Sequence, residues 1–231
     1  MFEMYSWPHM AALIAALAAP AAIIALRKVL RTEGWGQRFR IGMALALAAC
    51  EAALQLSYAF DGGWSAGTLP FQLCSLTLLL SAAALAFRWQ GLYPIVFFLG
   101  TLGALQALLT PNLTQPFPHF RYFHFFIAHI GIISAAVYLL AVERYRPTLR
   151  SALLALLWLH LLAVPAALVN IWTGTTNFMF LARKPSTASL LDALAPWPWY
   201  LLQLELVAVA LCLLLLGIAK LAYLIIGRVR G

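Results

Sequence analysis

The sequence predicts an all-α protein that crosses a membrane several times, and its composition is the first reason. Hydrophobic residues make up 64% of the 231 residues and charged residues only 10%, with a mean hydropathy of +0.90. Soluble domains carry about 45–50% apolar and about 25% charged residues. So small a share of charge cannot build a water-soluble surface, which excludes a cytoplasmic enzyme, a nucleic-acid-binding protein and a disordered chain.

The second reason is the length of the apolar stretches. A helix needs about 20 apolar residues to cross the hydrocarbon core, and seven stretches meet this requirement. They are rich in Ala and Leu and do not alternate, so they predict a helical bundle and no strands. The predicted spans are residues 9–28, 40–60, 69–87, 92–110, 119–142, 150–171 and 197–219. Residues 1–231 are therefore predicted to form one seven-helix transmembrane domain.

Basic residues that follow alternate helices predict the orientation. Twelve of the fifteen Lys and Arg residues follow helix one, three, five or seven, namely Arg27, Lys28, Arg31, Arg38, Arg40, Arg88, Arg144, Arg146, Arg150, Lys220, Arg228 and Arg230. Only Arg121, Arg183 and Lys184 fall on the other side. By the positive-inside rule the N-terminus lies outside and the C-terminus in the cytoplasm of a multi-pass cell-membrane protein. The net charge of +8 is thus typical of membrane topology rather than of nucleic-acid binding.

The two outer connections after helices four and six are unusual. Residues 111–118 read PNLTQPFP, and residues 172–196 form a long, aromatic connection broken by proline. Such a connection is typical of a structured cap over the bundle. An interfacial belt of aromatic residues is the alternative.

Ionisable residues inside predicted spans point to a polar cavity in the outer half of the membrane, because such residues usually face the interior of a bundle. They are Glu51, Cys74, His124, His129, His160 and Glu205. Glu51 and Glu205 are expected to line the cavity, although each can instead pair with a histidine or an arginine to hold helices together. His160 is expected to be a hydrogen-bonded core residue.

Metal and cofactor sites are not expected. The three cysteines, Cys50, Cys74 and Cys212, are too far apart for a zinc motif. Histidines at 119, 124 and 129 point about 140° apart on a helix, so one face cannot present all three. No lysine lies in mid-membrane to form a retinal Schiff base.

Three stretches together carry a resemblance to a known family. They are LPFQLCSLTLLL (residues 69–80), GALQALLTPNLTQPFPHFRYFHFFIAHIGII (residues 103–133) and GTTNFMFLARKPSTASLLDALAPWPWYLLQLE (residues 174–205). With the spacing between them, most of the chain resembles the YwaF-like family of bacterial integral membrane proteins. That family is related to an animal transmembrane acyltransferase that remodels ether phospholipids with a cysteine. It is more distantly similar to transmembrane lipid hydrolases that use a threonine nucleophile and a histidine.

The resemblance implies a lipid acyltransferase or hydrolase with Cys74 as nucleophile and His129 as base. His119 belongs to the Pro-His-Phe-Arg motif, and it and His124 are alternative bases, although the resemblance itself gives His124 no role. The residues expected to bind substrate or oxyanion are Gln72, Gln106, Asn177, Arg121, Arg183 and Lys184. The expected partners are phospholipid and lysophospholipid, with no nucleic acid, and the oligomeric state stays open.

Depth estimates conflict with a direct dyad. Measured inward from Pro70 and Pro118, Cys74 and His129 differ by about 10 Å along the membrane normal, whereas a hydrogen-bonded pair needs about 3 Å. The conflict leaves open an earlier start of helix three, a start of helix five above the membrane, or His119 or His124 as the base.

Two other functions compete with the enzyme. A seven-helix receptor for a lipid or small molecule fits the outer cavity. A proton-coupled transporter fits less well, because the inner halves of the helices carry few polar residues.

Overall fold

The predicted fold class is confirmed. A computed structural model describes residues 2–185 and 190–228, and these contain helices and no strand. The seven principal helices are α1 (Trp7–Leu30), α2 (Glu33–Phe60), α3 (Leu73–Phe87), α4 (Thr101–Leu109), α5 (Phe120–Ala141), α6 (Leu149–Thr173) and α7 (Trp199–Arg228). A buried π-helical segment, Ile95–Gly100, runs directly into α4. Four short 3-10 turns lie in the connections.

In the described part of the chain, six segments are long and apolar enough to cross a membrane, so the protein is a polytopic membrane bundle. They are α1, α2, α5, α6, α7 and the continuous segment Gln90–Leu109. The remaining helix, α3, has only 15 residues. At about 1.5 Å per residue it spans roughly 22 Å, less than the hydrocarbon core.

Three predicted boundaries are corrected. Helix three begins at Leu73, four residues after position 69, because Pro70 disfavours helical geometry in the residue before it and Gln72 is extended. Helix two begins at Glu33 instead of position 40, so Arg38 and Arg40 are helical. Helix seven continues beyond position 219 to Arg228. Hydropathy measures the apolar length of a helix and misses polar turns that extend beyond it.

Helix α5 is the centre of the bundle. It packs against α1, α2, α3 and α4, while α6 packs on the π-helical segment and on α7, which lies at the periphery. All nine residues from 92 to 100 are buried. Leu157, Leu168, Leu206 and Leu214 are exposed on α6 and α7, as expected for helices that face lipid.

One end of the bundle holds the N-terminus and residues 110–119 and 174–185, and we name it the outer end after its predicted orientation. His9 is completely buried there: its Nε2 donates to the carbonyl of Leu108 (2.9 Å), and its Nδ1 accepts from the backbone N–H of Tyr5 (2.9 Å). The Tyr122 hydroxyl donates to the carbonyl of Pro8 (2.6 Å). These bonds attach the start of α1 to α4 and α5.

The opposite end, which we name the basic end, collects the C-termini of α1, α3 and α5 and the start of α6. Tyr223 of α7 donates to the carbonyl of Tyr145 (2.7 Å), and the Arg146 guanidinium lies 4.7 Å from the centre of the Tyr223 ring. Most arginines therefore lie at the end opposite the N-terminus. Arg230 lies outside the described residues, and the orientation in the membrane stays a prediction.

Candidate functional site

Cys74 is the second residue of α3 and lies against the backbone of α4. Its side chain is half-buried, and a Cβ atom built on Gly103 would lie 3.9 Å from Sγ. The sulfur forms neither a disulfide nor a hydrogen bond with any residue that the structure describes. Because Gly103 has no side chain, the thiol on this side faces the backbone of α4.

His129 lies in α5 with one ring nitrogen fixed. The residue is 6% exposed, and its Nδ1 is 2.6 Å from the carbonyl of Phe125. A carbonyl only accepts, so Nδ1 carries the proton and donates, which leaves Nε2 of the neutral ring as an acceptor. The Phe125 ring, 4.3 Å away between centroids, holds the imidazole plane. His129 can therefore accept a proton only at Nε2.

The packing around Gly100 brings Cys74 and His129 to the same level. A Cβ atom on Gly100 would lie 2.9 Å from Cγ2 of Ile132 and 3.9 Å from Cβ of Thr77, so α3, α5 and the π-helical segment meet there. Cys74 and His129 each lie three residues outward from these contacts, about 4.5 Å along their helices. Measured from this contact, Cys74 and His129 lie at similar depth. The earlier offset of about 10 Å arose because it assumed that Pro70 and Pro118 lie at equal depth.

His119 and His124 lie farther out on the same helix. His119 is the exposed N-cap of α5, and its Nδ1 accepts from the backbone N–H of Arg121 (3.1 Å). His124 lies against the backbone of Cys50, and its buried Nε2 has no hydrogen-bond partner. A cavity of about 250 Å³ beside it is lined by residues 112–115, Arg121, His124 and Phe125. Within the described ranges no group of three or more His, Cys, Asp or Glu can hold a metal.

The two glutamates occupy different surroundings. Glu51 is 4% exposed: Oε1 accepts from Nε2 of Gln55 (3.0 Å), and Oε2 is buried without a partner. Glu205 instead lies 3.5 Å from Nε2 of His160, between α6 and α7. The predicted core position of His160 is wrong, since its side chain is 62% exposed. Glu205 thus matches the helix-pairing alternative.

Asn170, near the end of α6, holds the outer connection onto the bundle. Its Oδ1 accepts from the Phe178 backbone N–H (2.8 Å) and the Thr176 hydroxyl (2.9 Å), and its Nδ2 donates to the Phe178 carbonyl (3.0 Å). Phe178 is buried against the ring of Phe71. The sequence did not reveal this role of Asn170, because its partners lie in an irregular loop.

The same connection reaches the start of α3. Gln72 lies two residues before Cys74, and its Oε1 accepts from the backbone N–H of Met179 (3.1 Å). Met179 and Phe180 both have a positive φ of 54°, which is unusual for residues with side chains. Residues 174–185, which we name the cover, therefore contact the start of α3 two residues before Cys74. Residues 186–189 of the predicted cap lie outside the described residues.

The predicted binding residues are engaged in local bonds. Asn177 donates to the carbonyl of Arg183 (2.8 Å) and accepts from two backbone N–H groups of the same turn. Arg183 donates to the carbonyl of Thr175, and Lys184 donates to that of Leu194. The remaining two contacts are those of Arg121 with the Tyr58 hydroxyl (2.7 Å) and of Gln106 with the Thr110 hydroxyl (2.5 Å).

Asn170→Ala is expected to destabilise the protein by about 2–4 kcal/mol, because it leaves the buried polar groups of the Phe178 backbone without partners. The measurement is the thermal unfolding midpoint in detergent micelles. Gln203→Ala is the control, since it removes a single hydrogen bond to the backbone of Ala195 in the same connection. Equal losses in the two variants would contradict the anchoring role of Asn170.

Comparison with known protein families identifies the family of this chain. The sequence matches the TMEM164 family over residues 4–216. No curated protein and no solved structure matches it significantly. The matched range covers Cys74, His129 and both outer connections, and it is far more than half of the chain. The chain therefore belongs to the TMEM164 family of transmembrane proteins.

Proposed function

We propose that this protein is a membrane-embedded enzyme that transfers or hydrolyses the acyl chain of a phospholipid through a thioester on Cys74. One observation carries the proposal. The thiol of Cys74, which faces the backbone of α4 at Gly103, lies at the same depth as His129, whose Nε2 can accept a proton. Membership of a transmembrane family and the resemblance to YwaF-like proteins support it. A cell membrane is the proposed location, with the site toward the outer leaflet.

The first step needs a base within the site. Burial disfavours a free thiolate, while the positive end of α3 favours negative charge on its second residue. Sγ of Cys74 attacks the ester carbonyl carbon as its proton moves to Nε2 of His129. The tetrahedral intermediate breaks the bond from carbon to the glycerol oxygen. That oxygen takes the proton from His129, and a lysophospholipid leaves.

The second step returns the acyl chain. The hydroxyl of a lysophospholipid, or water, attacks the thioester carbon while Nε2 of His129 takes its proton. The carbon–sulfur bond breaks, and the leaving thiolate recovers the proton from His129. Transfer and hydrolysis thus share one intermediate and differ only in the acceptor, which is why the proposal includes both.

Polar groups around the thiol have proposed roles in binding. The amide oxygen of Gln72 accepts the hydrogen bond from Met179, and its Nε2 can donate to the oxyanion. Gln106 lies one turn outward from Gly103 and is a second donor. Arg121 lines the outer cavity near His124 and offers a charge for a lipid phosphate.

The cover supplies the remaining groups. Arg183 and Lys184 place two further cations at the outer end, where a phospholipid headgroup would lie. Asn177 shapes the turn that presents them, because both of its polar atoms bond within residues 177–183. In this proposal Asn177 acts on the substrate through the loop rather than by direct contact.

The test is the intact mass of the protein after incubation with phospholipid and lysophospholipid micelles. We expect a mass increase of one acyl chain that hydroxylamine removes. Cys74→Ala should lack the adduct, and the matched control Cys50→Ala, which removes another half-buried thiol, should retain it. An unmodified wild type that also leaves the lipids unchanged, or an adduct that persists in Cys74→Ala, would overturn the proposal.

A lipid or small-molecule receptor is the second candidate, and one observation favours it. Oε2 of Glu51 and Nε2 of His124 are buried without partners, and a bound polar ligand would satisfy both. A receptor predicts saturable ligand binding that survives Cys74→Ser and is lost in Glu51→Leu, with no chemical change in the ligand.

A further inference from the structure

The basic end of the bundle contains a second cavity, remote from Cys74. It has a volume of about 460 Å³ and lies where the ends of α1, α3 and α5 meet the start of α2. Its charged lining residues are Arg31, Arg40, Arg88, Arg144, Glu33 and Glu143. Four guanidinium groups against two carboxylates leave a surplus of positive charge in a concave site of ligand size.

Two of these arginines are held in place by helix ends. Arg31 donates to the carbonyl of Ala141 at the end of α5 (2.5 Å). Arg40 donates to the carbonyls of Leu85 and Ala86 at the end of α3, the second at 2.9 Å. The carbonyl end of a helix carries partial negative charge, so these contacts are favourable. Carbonyls are neutral, so the two carbonyl contacts of Arg40 orient its guanidinium group without removing its charge.

The other two arginines differ in their partners. Arg88 forms an ion pair with Glu143 (2.8 Å), and the hydrogen bond to that carboxylate raises the pKa of Arg88 above its ordinary value. Arg144 forms neither a hydrogen bond nor an ion pair with the described part of the chain. Both residues have left-handed backbones, with φ of 50° and 58°. Each departs from the preferred backbone region at some cost, and both side chains line this one cavity.

We propose that this cavity binds the phosphate group of an anionic ligand, with Arg144 as the unpaired cation that receives it. Arginine suits this task because its planar guanidinium matches two phosphate oxygens at once. Arg31 and Arg40, fixed on the ends of α5 and α3, supply further charge on the cavity wall. A bound phosphate would link three helix ends and stabilise the folded bundle. The proposal does not depend on the chemistry proposed for Cys74.

The phosphate can belong to a lipid headgroup or to a free anion. The helices end at this cavity, so it lies at the level where phospholipid headgroups meet water. Basic clusters between transmembrane helices are typical binding places for anionic headgroups. A free phosphate offers the same oxygens without the acyl chains, and the experiment therefore compares the two sources.

The experiment follows thermal unfolding of the full-length protein in neutral detergent during separate titrations with phosphatidic acid and with inorganic phosphate. A ligand that binds only the folded state raises the unfolding midpoint in a saturable way. We expect Arg144→Ala to raise the ligand concentration for half the effect by about tenfold, because one charge-assisted contact is lost. Arg38→Ala is the matched control: it removes an exposed charge at the same end, outside the cavity lining.

Both supporting outcomes require that Arg144→Ala weakens binding and Arg38→Ala does not. Saturation by phosphatidic acid alone then supports a lipid headgroup, whereas saturation by inorganic phosphate as well supports a free anion. Arg144→Gln removes the same charge and repeats the test if the alanine variant does not fold. Absence of a saturable shift with either ligand would overturn the proposal. An equal loss in Arg38→Ala would also overturn it, because general surface charge would then explain the binding.

Discussion

Replacing His129 by asparagine is expected to slow acyl transfer by about 10²–10⁴-fold, the usual contribution of a positioned acid and base. The asparagine amide can still donate to the carbonyl of Phe125, which His129 now bonds through Nδ1. It cannot take the thiol proton or return it to the leaving oxygen. The change therefore removes the chemistry while it keeps the local hydrogen bond. The measurement is the rate of acyl transfer from a labelled phospholipid to a lysophospholipid in micelles.

Three other histidines complete that experiment, one as a control and two as alternative bases. His160→Asn changes a residue that pairs with Glu205 on the lipid-facing side, so the rate should stay close to that of the wild type. His119→Asn and His124→Asn test the two alternative bases, which lie about 15 Å and about 7 Å outward from His129 along α5. A large loss in either of these variants, together with a nearly normal rate in His129→Asn, would move the base role to that residue.

Much of the fold could be predicted from the sequence, because a membrane span must satisfy its backbone bonds within one apolar helix. Each of the seven predicted spans overlaps a described helix, and six of these segments are long and apolar enough to cross a membrane. Hydropathy failed where helices extend beyond the apolar region, as at Glu33 and Arg228, and where a proline delays the start, as at Leu73. The π-helical segment at Ile95–Gly100 could not be predicted, since tight packing selects it and its composition is ordinary for a span.

The candidate site was predictable only in its residue types. Cys74 and His129 were singled out by a resemblance, whereas their common level depends on the close contact of three helices at Gly100. The partner of Glu205 stayed open for the same reason, although pairing with a histidine was one of its two expected roles. His160 and Glu205 are 45 positions apart in sequence, and no local pattern shows that their helices are neighbours. His9, whose two ring nitrogens reach Tyr5 and Leu108, was missed.

The largest effect on stability is expected from Gly36→Ala, at the end of the first turn of α2. A Cβ atom at Gly36 would lie 2.3 Å from the carbonyl oxygen of Leu30 and 3.3 Å from its carbon. That oxygen belongs to the last residue of α1, and only Arg31 and Thr32 separate α1 from α2. A flexible side chain could rotate away from such a contact, but a backbone carbonyl can move only if the two helices separate. We expect a loss of about 3 kcal/mol or more, the upper range for an overpacked site.

Two other glycines of α2 provide matched controls for this prediction. Gly34 and Gly42 have nothing within 4 Å of a built Cβ atom, and both lie in the same helix. Because alanine favours a helix over glycine by about 0.5–1 kcal/mol, Gly34→Ala and Gly42→Ala should leave the unfolding midpoint unchanged or raise it. The three variants make the same chemical change, so a lower midpoint only in Gly36→Ala would isolate the contact with Leu30. If all three variants unfold alike, the close approach of α1 and α2 at Gly36 is not what stabilises this end of the bundle.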